Sequence, residues 1–190
     1  YIGFKHGIKV GGTYAHEMLQ VITALSDPNE KDMLNAQYEF MREWNLFYGY
    51  DLCVGLTDTF GSDSFFKNCP KDIAEMYSFR EDSATDLYKY TNDVLDLYKR
   101  YNINHNEKVI VHSNGLDIAK VVDINSFSQN KLNKVYGIGT NIGSDVGNDY
   151  KHISIVIKAT KANGIDTVKL SDNIAKAIGN KEKINFYKKV

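Results

Sequence analysis

Ser78-Phe79-Arg80-Glu81-Asp82, the run from Asp86 to Tyr101, and Lys108-Val109-Ile110-Val111-His112 together form the stretch that decides the fold. Leu87, Tyr90, Val94, Leu97 and Tyr101 recur at three- and four-residue spacing, so the middle run predicts a helix with one apolar stripe. The short runs on either side predict strands, and a strand, helix, strand order is the unit from which parallel sheets are built.

The same alternation extends in both directions. Upstream, Leu52-Cys53-Val54-Gly55-Leu56 reads as a buried strand, and Ser62 to Asn68 and Ile73 to Tyr77 as short helices around Pro70. Met33, Leu34, Tyr38, Met41 and Trp44 mark one side of a helix from about Glu30 to Trp44. Met18, Leu19, Ile22 and Leu25 mark another, near Ala15 to Leu25, which Asp27-Pro28-Asn29 stops and a short strand around Ile8 to Gly11 precedes. Downstream come a helix from Gly115 to Ile124, a strand from Lys134 to Gly137 and a glycine-dotted loop to Asp149. The class is α/β. The pattern then changes: His152 to Lys158 and Asp166 to Leu170, separated by Asn163-Gly164, predict an antiparallel hairpin followed by a basic tail. A domain change near 146 to 150 therefore divides residues 1–148 from 149–190.

Composition narrows the function. The 190 residues carry 23 Lys+Arg against 24 Asp+Glu, a formal net charge of -1, which leaves no overall basic field for nucleic acid or an anionic membrane surface. No apolar run approaches the roughly 20 residues of a membrane helix, and Tyr1 begins neither a signal peptide nor an initiator methionine, so the chain reads as truncated. Cys53 and Cys69, without Cys-x-x-Cys spacing, suit a reducing cytoplasm as buried thiols.

Two apparent motifs fail on their chemistry. His16-Glu17-Met18-Leu19-Gln20 approaches a zinc-binding His-Glu-x-x-His, but Gln20 cannot replace the second imidazole. Gly137-Ile138-Gly139-Thr140-Asn141-Ile142-Gly143 approaches a dinucleotide fingerprint, but its third glycine falls one place late. The open backbone N–H groups of that loop still suit a phosphate.

With Thr13 as N-cap, His16 lies in the first turn of its helix, where the helix dipole disfavours imidazolium and favours an anionic group placed on the ring. That position suits a histidine accepting a phosphoryl group, and equally a first-turn histidine bonded to its neighbours. Asp58, Arg80 and Asp82, Ser113 and Asn114, and Gly137 and Gly139 follow or end four successive strands. If the strands are parallel, these residues converge where α/β proteins bind ligands. Each of the polar ones alone is also an ordinary helix cap; together the set favours a site. His6, His105 and His152 read as surface residues, His112 stays ambiguous, and Tyr90, Tyr98 and Tyr101 follow helical packing.

The ordered motifs resemble the nicotinate phosphoribosyltransferases. Gly12-Thr13-Tyr14-Ala15-His16-Glu17, Leu56-Thr57-Asp58-Thr59, Phe79-Arg80-Glu81-Asp82-Ser83, Ser113-Asn114-Gly115-Leu116-Asp117, Tyr136-Gly137-Ile138-Gly139-Thr140 and Val168-Lys169-Leu170-Ser171-Asp172 follow the order of that family's segments. The resemblance implies synthesis of nicotinate mononucleotide and pyrophosphate from nicotinic acid and phosphoribosyl pyrophosphate, with coupled ATP hydrolysis and Mg2+. It makes His16 the phosphorylated histidine. It gives Asp58, Arg80 and Asp82 to the pyridine carboxylate and ribose, and Thr13, Ser113, Asn114, Gly115, Gly137, Gly139 and Thr140 to substrate binding. It also implies an irregular TIM-like α/β barrel, incomplete here, a second sandwich-like domain to which the hairpin belongs, and a homodimer. A fragment of such a barrel is expected to be inactive alone. Two departures stand out: the family's Arg-x-Asp-Ser-Gly-Asp-Pro continues here as Ala84-Thr85-Asp86, and Met18 replaces an aromatic. Alternatives are nicotinamide or quinolinate phosphoribosyltransferase chemistry and a non-catalytic phosphate-binding relative; the Gly-Thr-x-Ala-His-Glu segment favours nicotinate.

Overall fold

The helix predicted after Ser78 begins at a cap: the Asp86 carboxylate accepts the backbone N–H groups of Tyr88 and Lys89, which leaves Leu87–Arg100 helical. The computed structural model to which it belongs describes residues 1–8, 11–26, 30–129, 131–143, 147 and 155–190. In chain order the elements are α1 (Ile2–His6), α2 (His16–Leu25), α3 (Glu30–Tyr48), β1 (Val54–Leu56), α4 (Ser62–Asn68), α5 (Lys71–Met76), β2 (Ser78–Glu81), α6 (Leu87–Arg100), β3 (Val109–His112), α7 (Ile118–Phe127), β4 (Asn133–Tyr136), α8 (Thr140–Gly143), β5 (Lys161–Ala162), β6 (Ile165–Asp166) and α9 (Lys181–Tyr187).

Strands β1 to β4 pair in chain order and every pairing is parallel. Among the described residues this is an open sheet with β1 and β4 at its edges. Alternation along the strands sends Phe79 and Ile110, which are register partners, to one buried face. There Phe79 meets Phe65 and Phe66 of α4 edge-on and Tyr98 of α6 in a stack. Each such wholly buried aromatic contributes about 1.5–3 kcal/mol of transfer free energy. Gly55 of β1 lies in the same layer, and a Cβ there would stand 2.8 Å from Met41 Cε of α3 and 3.3 Å from the Phe79 and Tyr77 rings, so a larger residue would make these side chains shift. Cys53 and Cys69 are both buried free thiols, and burial pushes the Cys69 thiol up to about 12.

A second cluster joins the far end of the chain to this body: Met33 and Phe60 pack with Val168, Leu170 and Tyr187, the Phe60 and Tyr187 rings stacking 4.9 Å apart. Leu170 N–H donates to Thr59 O and Ser171 N–H to Asp58 O, so residues 170–171 lie along the loop after β1. No helix among the described residues is long and apolar enough to cross a membrane.

The structure corrects several element expectations. Ile8 and Gly11 are not in a strand, and Lys9 and Val10 lie outside the described residues, as does Asp27-Pro28-Asn29. A short helix, α1, comes first and is closed by Gly7 in the left-handed region at φ 63°. The helix expected from Gly115 begins at Ile118, because Gly115 is left-handed at φ 57° and the Asp117 carboxylate caps the helix through Lys120 N–H. The hairpin turns at Asn163-Gly164, both at positive φ as a two-residue hairpin turn requires, yet each arm is only two residues long. Ile155, Val156 and Ile157 are exposed and outside any strand, so β-branching alone does not make a strand where, among the described residues, no partner lies alongside. Thr167 still bonds across the hairpin to Thr160 O, and Val168 to Leu170 then leave it to dock on the main body. The expected domain boundary falls at residues of which most lie outside the described set.

Candidate active site

Because all four strands run the same way, their carboxyl ends open on one side, and the polar residues that follow them meet there. The sequence-level condition for convergence is satisfied for His16, Asp58, Arg80, Asp82 and Ser113. His16 Nε2 lies 3.3 Å from Asp58 Oδ1 and 3.2 Å from Asp82 Oδ2, aligned for a hydrogen bond with neither. Arg80 donates from Nη2 to Asp82 Oδ1 at 2.8 Å and from Nε to Ser113 Oγ at 2.8 Å. Asn114 ties the turn after β2 in place through Nδ2 to Ala84 O at 3.0 Å, and its own Oδ1 accepts Lys176 Nζ.

Thr13 is not the N-cap of α2. Ala15 holds that position, and the Thr13 hydroxyl instead donates to the carbonyl of Val54, fixing the chain against β1. His16 is consequently the first helical residue rather than the third. The direction expected from the helix dipole is not the one found: burial disfavours the ring's charge, but Asp58 and Asp82 outweigh burial and raise its pKa above the ordinary value. Burial pushes Asp58 up as well, yet the His16 ring, Lys169 ammonium and Ser83 hydroxyl bring it down to about 2. Asp82, with His16, Arg80 and Lys169 around it, is held well below the usual carboxylate range despite its burial.

Gly137 lies where β3 and β4 close on each other: its N–H donates to His112 O, and a Cβ would stand 3.2 Å from Ser113 Cβ. Gly139 and Thr140, exposed at the start of α8, make no hydrogen bond to the His16 group among the described residues. Gly115 shapes the turn after β3. Of the departures, Ala84 has no positive φ and needs no glycine. Thr85 lines a cavity of about 340 Å³ with Asp86 and Asp172, and Asp86 is occupied as the cap of α6.

Sequence reasoning missed Lys169. Its side chain is almost fully buried, with Nζ 2.9 Å from Asp58 Oδ2 and 3.9 Å from Asp82 Oδ2. A buried lysine needs an anionic partner, and here the partner is more than a hundred residues away in sequence. The one local signal is the quoted Val168-Lys169-Leu170-Ser171-Asp172 segment itself, in which Ser171 adopts a left-handed φ of 63° without being glycine.

With His16 protonated, His16, Arg80 and Lys169 bring three positive charges against the two of Asp58 and Asp82, an excess that favours an anionic ligand. Ligand atoms of His16, Asp58 and Asp82 lie within 4.8 Å of one another, a spacing compatible with a metal. Lys169 and Arg80 already neutralise both carboxylates, so the group does not fit a resident magnesium ion.

Comparison with known proteins is consistent with this arrangement. The crystal structure of nicotinate phosphoribosyltransferase from Porphyromonas gingivalis matches with a TM-score of 0.85 and 30% identity, over 98% of this chain and 48% of that one. The crystal structure of the enzyme of that name from Vibrio cholerae shares the fold with a TM-score of 0.86 at 24% identity, over 97% and 45%. The chain thus spans about half the length of these relatives. A sequence model of the nicotinate phosphoribosyltransferase family matches residues 3–190, and the chain belongs to that family.

Proposed function

We propose that the protein carrying this chain forms nicotinate mononucleotide and pyrophosphate from nicotinic acid and phosphoribosyl pyrophosphate, in pyridine nucleotide salvage. The observation that carries this reading is a buried histidine held between two carboxylates, with Arg80 and Lys169 beside them, at the carboxyl ends of parallel strands. Both substrates are anions, which suits the Arg80 and Lys169 cations gathered here. Arg80 presents a planar fork suited to the pyridine carboxylate. Asp58 and Asp82 face the ribose, and Ser113, Asn114, Gly115, Gly137, Gly139 and Thr140 supply donors to the phosphates. In the transfer the pyridine nitrogen bonds to the ribose C1 as the C1–O bond to pyrophosphate breaks. Magnesium enters with the phosphate substrates.

ATP hydrolysis is coupled through His16. The terminal P–O bond of ATP breaks, a P–N bond forms to the ring, ADP leaves, and the ring proton passes to solvent. The same carboxylates raise the ring's pKa, so a proton on the ring is held more firmly than on a free imidazole. Two copies of the protein complete the site in the cytoplasm.

In the protein carrying this chain, γ-labelled ATP is expected to label His16 in a bond that is acid-labile and base-stable, and His16→Ala should abolish the label while leaving some ATP-independent synthesis. Undiminished labelling of the variant would reject the assignment.

A further inference from the structure

Behind the Asp58 carboxylate runs a buried chain of hydroxyl groups whose hydrogen-bond directions can be deduced. Ser83 Oγ donates to Asp58 Oδ2 at 2.5 Å and accepts the backbone N–H of Asp172 at 3.0 Å. The side chain of Asp172 is in turn gripped twice by Ser62, whose N–H donates to Oδ1 at 2.6 Å and whose hydroxyl donates to Oδ2 at 2.7 Å. A hydroxyl has one proton. Since Ser62 gives its own to Asp172, the Thr57 hydroxyl 2.6 Å away donates to Ser62, and Tyr90, 3.1 Å from Thr57, donates to Thr57. Tyr90, Thr57, Ser62 and Ser83 are all buried, so no water competes for these protons.

We infer that Asp172, anchored by Ser62 and acting through Ser83, is a positioning residue that fixes the rotation of the Asp58 carboxylate toward His16. The Asp172 N–H occupies an acceptor site on Ser83, which leaves the single Ser83 proton directed at Asp58 Oδ2. Lys169 binds the same oxygen, so Oδ2 is held from two sides and Oδ1 is the oxygen turned to the His16 ring. Without Ser83 the carboxylate is free to turn and offer both oxygens to Lys169, withdrawing Oδ1 from the ring. Asp172 touches none of the proposed reacting groups. Its catalytic consequence rests on the reading of His16 and Asp58 given above; the positioning itself does not.

The test uses three variants of the protein carrying this chain. Ser83→Ala removes the hydroxyl that holds Asp58, and Asp172→Ala removes the anchor. Asp172→Asn is the rescue: its Oδ1 still accepts Ser62 N–H and its amide donates to Ser62 Oγ, so the anchor is kept while the hydroxyl chain behind it reverses direction. In 1H–15N spectra of the imidazoles, Ser83→Ala and Asp172→Ala are expected to move the His16 ring signal in the same direction, and Asp172→Asn to leave it near its original place. Synthesis of nicotinate mononucleotide should show about a tenfold lower kcat in the two alanine variants, with an almost unchanged KM for nicotinic acid and near-complete recovery in Asp172→Asn. A His16 signal unmoved in folded Ser83→Ala, or as disturbed in Asp172→Asn as in Asp172→Ala, overturns the inference. If Asp172→Ala fails to fold, Ser83→Ala decides. If the unmodified protein makes no nicotinate mononucleotide, the proposed reaction fails, and the ring signal still decides the positioning.

Discussion

At the scale of single residues, the site is an electrostatic compromise with a calculable pH dependence. Asp58 has a pKa of about 2 against an ordinary 3.8, so the folded state holds its anion more firmly than the unfolded chain does. The resulting stabilisation is present above pH 4 and is lost as pH falls toward 2, amounting to about 2 kcal/mol. His16, shifted upward, acts in the opposite sense: its contribution is complete below the ordinary value and is lost as pH rises through the folded one. Urea denaturation at pH 7 and pH 3 should therefore show a loss of stability on acidification that is about 1 kcal/mol smaller in Asp58→Asn, since about half of the contribution is lost by pH 3. An unchanged acid loss would remove Asp58 from the account. His16, Asp58, Arg80 and Asp82 were legible because they border apolar runs whose ends the sequence marks. Lys169 was not: in the alternating Asp166-Thr167-Val168-Lys169-Leu170 a lysine reads as the solvent face, and only the return of residue 169 to residue 58 buries it.

At the scale of elements, legibility followed partnership. Strands β1 to β3 were predicted to within two residues because each carries buried residues beside a neighbouring strand, so pattern and environment agree; β4, placed as closely, lies at the edge without a buried residue. The long arm expected at His152 to Lys158 failed in its described part because Ile155 to Ile157 have strand composition without a strand beside them. Caps set the helix starts more finely than apolar periodicity does, as Asp86 and Asp117 show. Asp86→Ala should cost about 1 kcal/mol in urea denaturation, through the two N–H groups it leaves without their acceptor, while the His16 ring signal stays in place. A displaced ring signal, or no loss of stability, would mean that Asp86 serves the site rather than the helix.

At the scale of the whole molecule, apolar surface is left uncovered. Val135 on the edge strand β4 is 52% exposed, Ile118 and Val122 of α7 are each 60% exposed, and Ile157 is 83% exposed. An open parallel edge bordered by such surface favours association. The relatives matched are about twice as long as this chain. The 190 residues alone are therefore expected to self-associate in sedimentation velocity and to make no nicotinate mononucleotide. A monodisperse, active monomer would contradict this.

The bond from Ser62 to Asp172 spans 110 residues of sequence, and the ion pair from Lys169 to Asp58 is equally distant in the chain. Closing so long a loop is entropically costly and slow compared with forming β2, α6 and β3, whose contacts are local. On the ribosome, Asp58 emerges long before the lysine that neutralises it. Until it arrives the Asp58 carboxylate lacks its buried cation, and burying it alone would be costly. The order of translation thus delays assembly of the Asp58–Lys169 pair and of the Ser62–Asp172 bond until residues 169 to 172 have emerged.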